Sequence, residues 1–416
     1  MRPVLVLAFT AALALVSAGA LFAFSVVPGP VAAGSPPQVA TPPLADPAPL
    51  AAAAEPASTP LEASPGLGDE VIQIALLLDT SNSMDGLIDQ ARGRLWTVVE
   101  TFNKVQKDGK RPSLELALVE YGNDTIQPEL GHIRLVTDFT RDLDRVSELL
   151  FGLQTNGGTE PASEAVRRSI DTLSWTRGGS GNRLIFVAGN EDFEQGGASA
   201  LEALRPRKHD IDVHTIFCGE LEAGKAMGWG TNERTGVGRL FAIDANRVDI
   251  NIDAPQDGKL LELNAALNQT YLPFGTQGSA GAQRQVANDN AFFGRLSRNA
   301  QSARVASKST AYYDNSHWDL VDAHEQGKLN WATVDAATLP AQLKGQSDAE
   351  RQAYVVAMAK RRAEIKAEIG RVAAARGRWL EAEKRRRGLA GAQTLDSALA
   401  EVALQTAKRL GYTLSV

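Results

Sequence analysis

The sequence predicts an α/β fold, a doubly wound, mostly parallel sheet followed by an α-helical C-terminal region, on three observations. Short apolar runs rich in β-branched residues recur from Val71 to Ile243, each ending in a polar loop. Helix-length amphipathic stretches lie between them, an alternation that implies parallel strands covered on both faces. From Asp348 onward the strand signal stops and a long helical periodicity replaces it.

The chain begins with Arg2 and an apolar run from Val4 to Val27, close to the length that spans a bilayer. Residues 1–27 are expected to be a signal peptide, with small residues for cleavage at Ala18–Ala20 or Ala32–Ala33, or an N-terminal membrane anchor with Arg2 in the cytoplasm. Either form exports the rest of the chain to the periplasm or cell surface, and the second tethers it to the inner membrane. Residues 28–69 are Pro, Ala, Ser and Gly with few large hydrophobes, a disordered linker that its prolines keep extended.

The sheet domain is expected over residues 70–250. Val71–Asp79 (VIQIALLLD) is too short and too β-branched for a helix and reads as a buried strand. Further strands are expected at Leu114–Tyr121, Leu184–Ala188, Val213–Cys218 and Leu240–Ile243. Helices are expected over Leu87–Val105, Leu143–Leu150 behind a Thr140 cap, Pro161–Leu173 and Ala198–Leu204. Residues 251–345, rich in Ala, Asn and Gln, read as an irregular connecting region that packs back partly through the cluster Tyr312–Val321.

Residues 346–411 read as a helical hairpin-like tail. A helix over Asp348–Arg387 precedes a turn at Gly388–Gly391, and a second helix over Leu395–Leu410 is closed by Gly411. Met358, Ile365, Val372 and Trp379 recur every seven residues, flanked by Val355 and Ile369. Arg362 and Arg376 at alternate positions leave that seam half filled, the mark of an amphipathic helix on a surface more than of a long coiled coil.

With 416 residues, 44% of them hydrophobic, the chain can bury a large core, and its formal charge of -6 gives no net attraction to nucleic acid or an anionic membrane. No nucleic-acid partner is expected, and the membrane is met only through the N-terminal segment. The basic run Lys384–Arg387 stands beside Glu381 and Glu383 and reads as a solvated helix face. A single cysteine, Cys218, excludes an intramolecular disulfide and reads as a small packed hydrophobe. His214 and Trp318 likewise read as packing residues. The chain has no His-Glu-x-x-His, no Gly-x-Ser-x-Gly and no phosphate loop, so it is expected not to be an enzyme.

One loop carries chemistry. Asp79-Thr80-Ser81-Asn82-Ser83 leaves the first strand, and a turn there aims its first, third and fifth residues at a common point. A carboxylate and two hydroxyls are hard oxygen donors that suit Mg2+ or Mn2+ better than zinc or copper. Taken alone, the pattern is also that of an ordinary Asx turn, and one charge cannot hold the ion tightly, so other loops must contribute.

The region from Val71 to Ala245 resembles the von Willebrand factor type A family, a Rossmann-like fold whose metal-ion-dependent adhesion site has Asp-x-Ser-x-Ser, a Thr in a later loop and an Asp after the next central strand. Asp79, Ser81 and Ser83 match the first element, and Asn156-Gly157-Gly158-Thr159-Glu160-Pro161 matches the second, with Thr159 as the implied hydroxyl ligand and Pro161 opening the next helix. The third element departs: where the family has Thr-Asp-Gly, this chain has Gly189-Asn190-Glu191-Asp192. Asn190 stands in the aspartate's place and can coordinate through its carbonyl, or Glu191 or Asp192 can turn in. A bacterial subgroup shares this Ala-Gly-Asn-Glu strand end, Cys218-Gly219, Trp318-Asp319-Leu320-Val321-Asp322 and the helical tail.

The resemblance implies a bound Mg2+ or Mn2+ with one position open to an acidic residue of a protein partner, hence adhesion or assembly outside the cytoplasm. Two other readings stay open: a structural cell-envelope protein with a metal-free site, and a metal-assisted hydrolase. The sequence sets no oligomeric state.

Overall fold

The computed structural model describes residues 67–176, 182–204, 210–243, 252–388 and 395–414. The expected signal peptide or anchor, and the linker up to residue 66, lie outside them. Among the described residues no helix is long and apolar enough to cross a membrane.

The sheet domain contains β1 (Leu67–Asp79), α1 (Asp85–Asn103), β2 (Val105–Gln106), β3 (Arg111–Tyr121), β4 (Ile133–Thr140), α2 (Leu143–Gly152), α3 (Ala162–Thr172), β5 (Arg183–Gly189), α4 (Ala200–Ala203), β6 (Ile211–Cys218), α5 (Leu221–Ala226), α6 (Thr231–Thr235) and β7 (Leu240–Ile243). Six strands form one sheet in the order β4-β3-β1-β5-β6-β7. All neighbours are parallel except β3 and β4. The chain therefore winds outward from β1 in one direction, then crosses back to β5 and winds outward in the other, the doubly wound arrangement that the alternation of strands and helices predicts. Its switch point lies at the carboxyl ends of β1 and β5, at Asp79 and Gly189.

Alternation along β1 feeds two cores. Ile72, Ile74, Leu76 and Leu78 face one, with Trp96, Val99 and Phe102 of α1. Ala75 and Leu77 face the other, with Val166 of α3, Phe193 and Trp229. Strands buried on both faces read as continuous apolar runs, which is why β1, β3, β5, β6 and β7 are visible in the sequence.

Several expectations are corrected. β1 starts at Leu67, which pairs with Arg111, so residues 67–69 belong to the strand and not to the linker. β4 has no counterpart among the expected strands: it is an antiparallel edge with Arg134 and Leu135 exposed, and its apolar signal is diluted. Asp142, not Thr140, caps α2 by accepting from the Arg145 N–H at 2.9 Å. Thr140 instead accepts from the Asp142 N–H.

Residues 251–345 are not irregular. They form α7 (Asp257–Asn268), α8 (Gly278–Arg295), α9 (Arg298–Lys308) and α10 (Leu320–Glu325). Leu260, Leu267, Phe292 and Val305 share the core of α1, while α2 packs on α8. Between these helices runs a buried ionic network: Arg304 reaches Asp144 of α2 at 2.9 Å and Asp289 of α8 at 2.7 Å, and Lys308 reaches Asp289 at 2.9 Å. Tyr313 donates to Asp144. Trp318 is buried against Gly281, where a Cβ would collide with its ring, so it packs as expected.

The C-terminal region consists of α11 (Asp348–Arg386), α12 (Leu395–Arg409) and β8 (Thr413–Leu414). Ser347 and Glu350 form a capping box at the start of α11, satisfying two helix-end N–H groups reciprocally. α11 packs on α7, α9 and α10, whereas α12 packs on α1, so the two helices cover different surfaces rather than forming a hairpin on their own. β8 pairs antiparallel with β2, closing the C-terminal end onto the end of α1.

Candidate metal centre

The centre is built at the switch point from three loops. Asp79 ends β1, fully buried. The turn after it is locked to the loop before α3 by backbone bonds: the Asn156 N–H donates to Thr80 O at 2.9 Å and the Asn82 N–H to Gly157 O at 3.1 Å. Asp79 Oδ1 accepts from the Ser81 N–H at 2.8 Å, the Asx turn that the pattern permits. Its other oxygen, Oδ2, is buried without a hydrogen-bond donor.

Ser81 Oγ and Ser83 Oγ lie 3.1 Å apart, and Ser83 donates to Asn190 Oδ1 at 3.2 Å. Asp79, Ser81, Ser83 and Asn190 are thus brought together at one point. Thr159 is exposed, as Ser83 is. The residue after Thr159, Glu160, is only 4% exposed, and its carboxyl group is within hydrogen-bonding reach of Asp79 and Ser81. Glu160 Oε2, like Asp79 Oδ2, has no donor. Pro161 stands one residue before α3 rather than at its first position.

The Glu191 side chain is exposed, with its carbonyl accepting from the Trp229 indole N–H at 2.7 Å, and its charge still reaches both buried carboxyls. Asp192 is spent on its own turn, accepting from the Glu194 N–H at 2.9 Å.

Electrostatics at this point are unusual. Burial raises the Asp79 carboxyl above the ordinary carboxylate range, and the Glu191 charge adds to it. Burial also raises Glu160, and the bond and charge of Asp79 push it further. Two ionised carboxylates are both acceptors, so one must take a proton or a cation must come between them. Beside them the buried Tyr121 hydroxyl, which donates to Ala188 O at 2.8 Å, is held well above its usual pKa by burial and then by these two acids.

Two glycines make room for this packing. Gly122 has φ +82°, and a Cβ there would lie 2.6 Å from Asp79 Oδ1 and 3.1 Å from Glu160 Cγ. A Cβ at Gly189 would lie 2.5 Å from the Tyr121 hydroxyl and 3.1 Å from both Asp79 Oδ2 and Trp229. Tyr121 and Trp229 fill the space that any larger side chain at position 189 would need.

Among the described residues no group of three or more His, Cys, Asp or Glu side chains is placed to hold a metal. The donor set here is mixed: two carboxylates, two hydroxyls and one amide oxygen. The orphaned oxygens of Asp79 and Glu160 are what a hard divalent cation would satisfy, so the residues present fit Mg2+ or Mn2+.

No protein-family model and no curated protein matches the chain. Among solved structures it is similar to proximal thread matrix protein 1 from the mussel byssus, at 12% identity and a TM-score of 0.31, over 42% of this chain and 42% of that one. A von Willebrand factor type A protein from Catenulispora acidiphila is similar at 13% identity and a TM-score of 0.31, over 42% of this chain and 39% of that one. The ArnB paralog VWA2 from Sulfolobus acidocaldarius is similar at 15% identity and a TM-score of 0.26, over 42% of each chain. The likeness spans less than half the length of each of these proteins. The doubly wound α/β architecture with its helical C-terminal region stands on the strand order and register described above.

Proposed function

We propose that this chain is an extracytoplasmic binding module that takes up Mg2+ or Mn2+ at the ends of β1 and β5 and uses it to hold a carboxylate of a protein partner. One observation carries the reading: two buried carboxylates, Asp79 and Glu160, each keep an oxygen without a donor, beside the hydroxyls of Ser81 and Ser83 and the amide of Asn190. Asp79, Ser81, Ser83 and Asn190 would hold the ion, and a bound ion supplies an electrophile for an incoming acid. Asn190, neutral where the related motif has an acid, leaves that electrophile less neutralised. The reading contains no catalytic step. Export rests on the apolar run from Val4 to Val27.

The test is thermal unfolding of the chain with Mg2+ or Mn2+ against a chelator. Stabilisation of about 2.7 kcal/mol is expected at a hundredfold excess over Kd. Asp79→Ala is expected to remove it. Identical melting with and without either ion would instead favour the metal-free, structural reading. Retention of partner proteins on the immobilised chain, lost on chelation and restored by Mg2+, would extend the result to binding.

A further inference from the structure

The proposed site poses a question of charge. A divalent ion held by Asp79 and neutral donors alone has one negative charge against two positive ones, and cation affinity in oxygen sites is tuned by the number of charged ligands. The strand end after β5 cannot supply the second charge through residue 190, which is an asparagine. Glu191 is exposed and Asp192 closes its own turn.

We infer that Glu160, from the loop that enters α3, is the second carboxylate of the cation site, with Asp79 as the first and Ser81, Ser83 and Asn190 as neutral donors. This rests on the metal-binding reading above. The geometry supports it in three ways. Glu160 is buried at the end of an exposed stretch, with its N–H bonded to Gln195 Oε1 and its carbonyl to the Ala162 N–H, so its backbone is fixed from both sides. Its side chain lies beside Asp79 and Ser81, while the neighbouring Thr159 is exposed. Neither Glu160 Oε2 nor Asp79 Oδ2 has a donor, and among the described residues neither acid has an ion-pair partner. Burying two acids together without a counter-charge is destabilising. A divalent cation removes that conflict; a shared proton is the competing explanation.

Glu160→Gln separates the two, because glutamine keeps the size and can donate as a protonated acid would, but carries no charge. Calorimetric titration of the full chain with Mn2+ is expected to show an affinity at least about tenfold weaker in Glu160→Gln than in the wild type. Glu160→Asp, which keeps the charge, should bind Mn2+ more tightly than Glu160→Gln. Thr159→Ala should remain within about threefold of the wild type. In chelator, Glu160→Gln should melt at or above the wild-type temperature, because the charge is a liability to the empty site.

Equal Mn2+ affinity in wild type and Glu160→Gln overturns the inference and leaves the metal-binding reading intact. Absence of Mn2+ binding by the wild type overturns both. A Glu160→Gln chain that fails to fold in chelator also contradicts the inference, since it makes the charge a requirement of the empty fold.

Discussion

Asp79 and Glu160 are buried together, and burial raises the pKa of both. A carboxyl whose pKa is raised on folding contributes stability that is present below its unfolded pKa and is lost as pH rises through the folded value. Without metal, the wild type should therefore match Glu160→Gln near pH 4 and fall about 1–3 kcal/mol behind it by pH 8, read by urea unfolding at each pH. His214 has the opposite sign. It is buried in β6, stacked on Phe186 at 5.3 Å, and burial, with Arg239 and Arg409 nearby, pushes its pKa down to about 3. The unfolded chain then binds the extra proton, so stability is lost as pH falls below 6.5. Between pH 6.5 and 4.5 the wild type should lose about 2 kcal/mol that His214→Phe retains. Gly122→Ala should distort the candidate metal centre, since φ +82° is strained for alanine and its methyl would meet Asp79 Oδ1 at 2.6 Å. A chain that still folds but loses Mn2+ binding is the expected result. At this scale the meeting of Asp79, Ser81 and Ser83 was legible in their spacing after a strand end, whereas Asn190 was reached only through the family resemblance. Glu160 was not legible, because which of two neighbouring side chains is buried depends on the backbone of the loop, and composition does not show it.

The long helix α11 shows how ionic residues take over the work of an apolar stripe. Val355, Arg362, Ile369 and Arg376 are its four buried residues, seven apart. The arginines that make the seam look half filled are its anchors: Arg362 reaches Asp319 at 2.5 Å and Asp322 at 2.6 Å, while its guanidinium lies 4.1 Å from the centre of the Tyr271 ring. Arg376 reaches Asp257 at 2.5 Å. This gives the Trp318-Asp319-Leu320-Val321-Asp322 motif its physical role, since Asp319 caps α10, accepts from the Leu272 N–H and receives Arg362. Arg362→Ala should destabilise the protein by about 3–5 kcal/mol in urea unfolding, because it strands two buried acids. A change below about 1 kcal/mol would show that α11 is only loosely attached. The same chemistry explains why the helices of residues 251–345 are hard to read. Asn264, Gln285, Asn288, Asp289, Arg304, Ser307 and Lys308 are buried, so the faces that pack are polar and the usual apolar period is missing. The buried strands carried no such ambiguity, whereas the half-exposed edge β4 did.

On the scale of the molecule, the helical region continues the sheet domain. One core runs from β1 through α1 to Leu260, Val305 and Val402, and all the described residues fall in one compact unit. The C-terminal end is clasped: Lys107 Nζ donates to Leu410 O at 2.9 Å and lies over the Tyr412 ring, beside the β2–β8 pair. Heat should therefore unfold residues 67–414 in one transition, with far-UV and near-UV signals superimposable; an earlier loss of helical signal would mean that the C-terminal helices melt separately. The loops at the ends of β1 and β5 keep Ser83, Thr159 and Glu191 exposed, and the binding proposed for them depends on a cation. Titration with Mn2+, followed by the spin-resonance signal of the free ion, tests that most directly. One bound ion per wild-type chain and none in a folded Asp79→Ala chain is the expected result, while no bound ion in the wild type, or equal binding in Asp79→Ala, would contradict it.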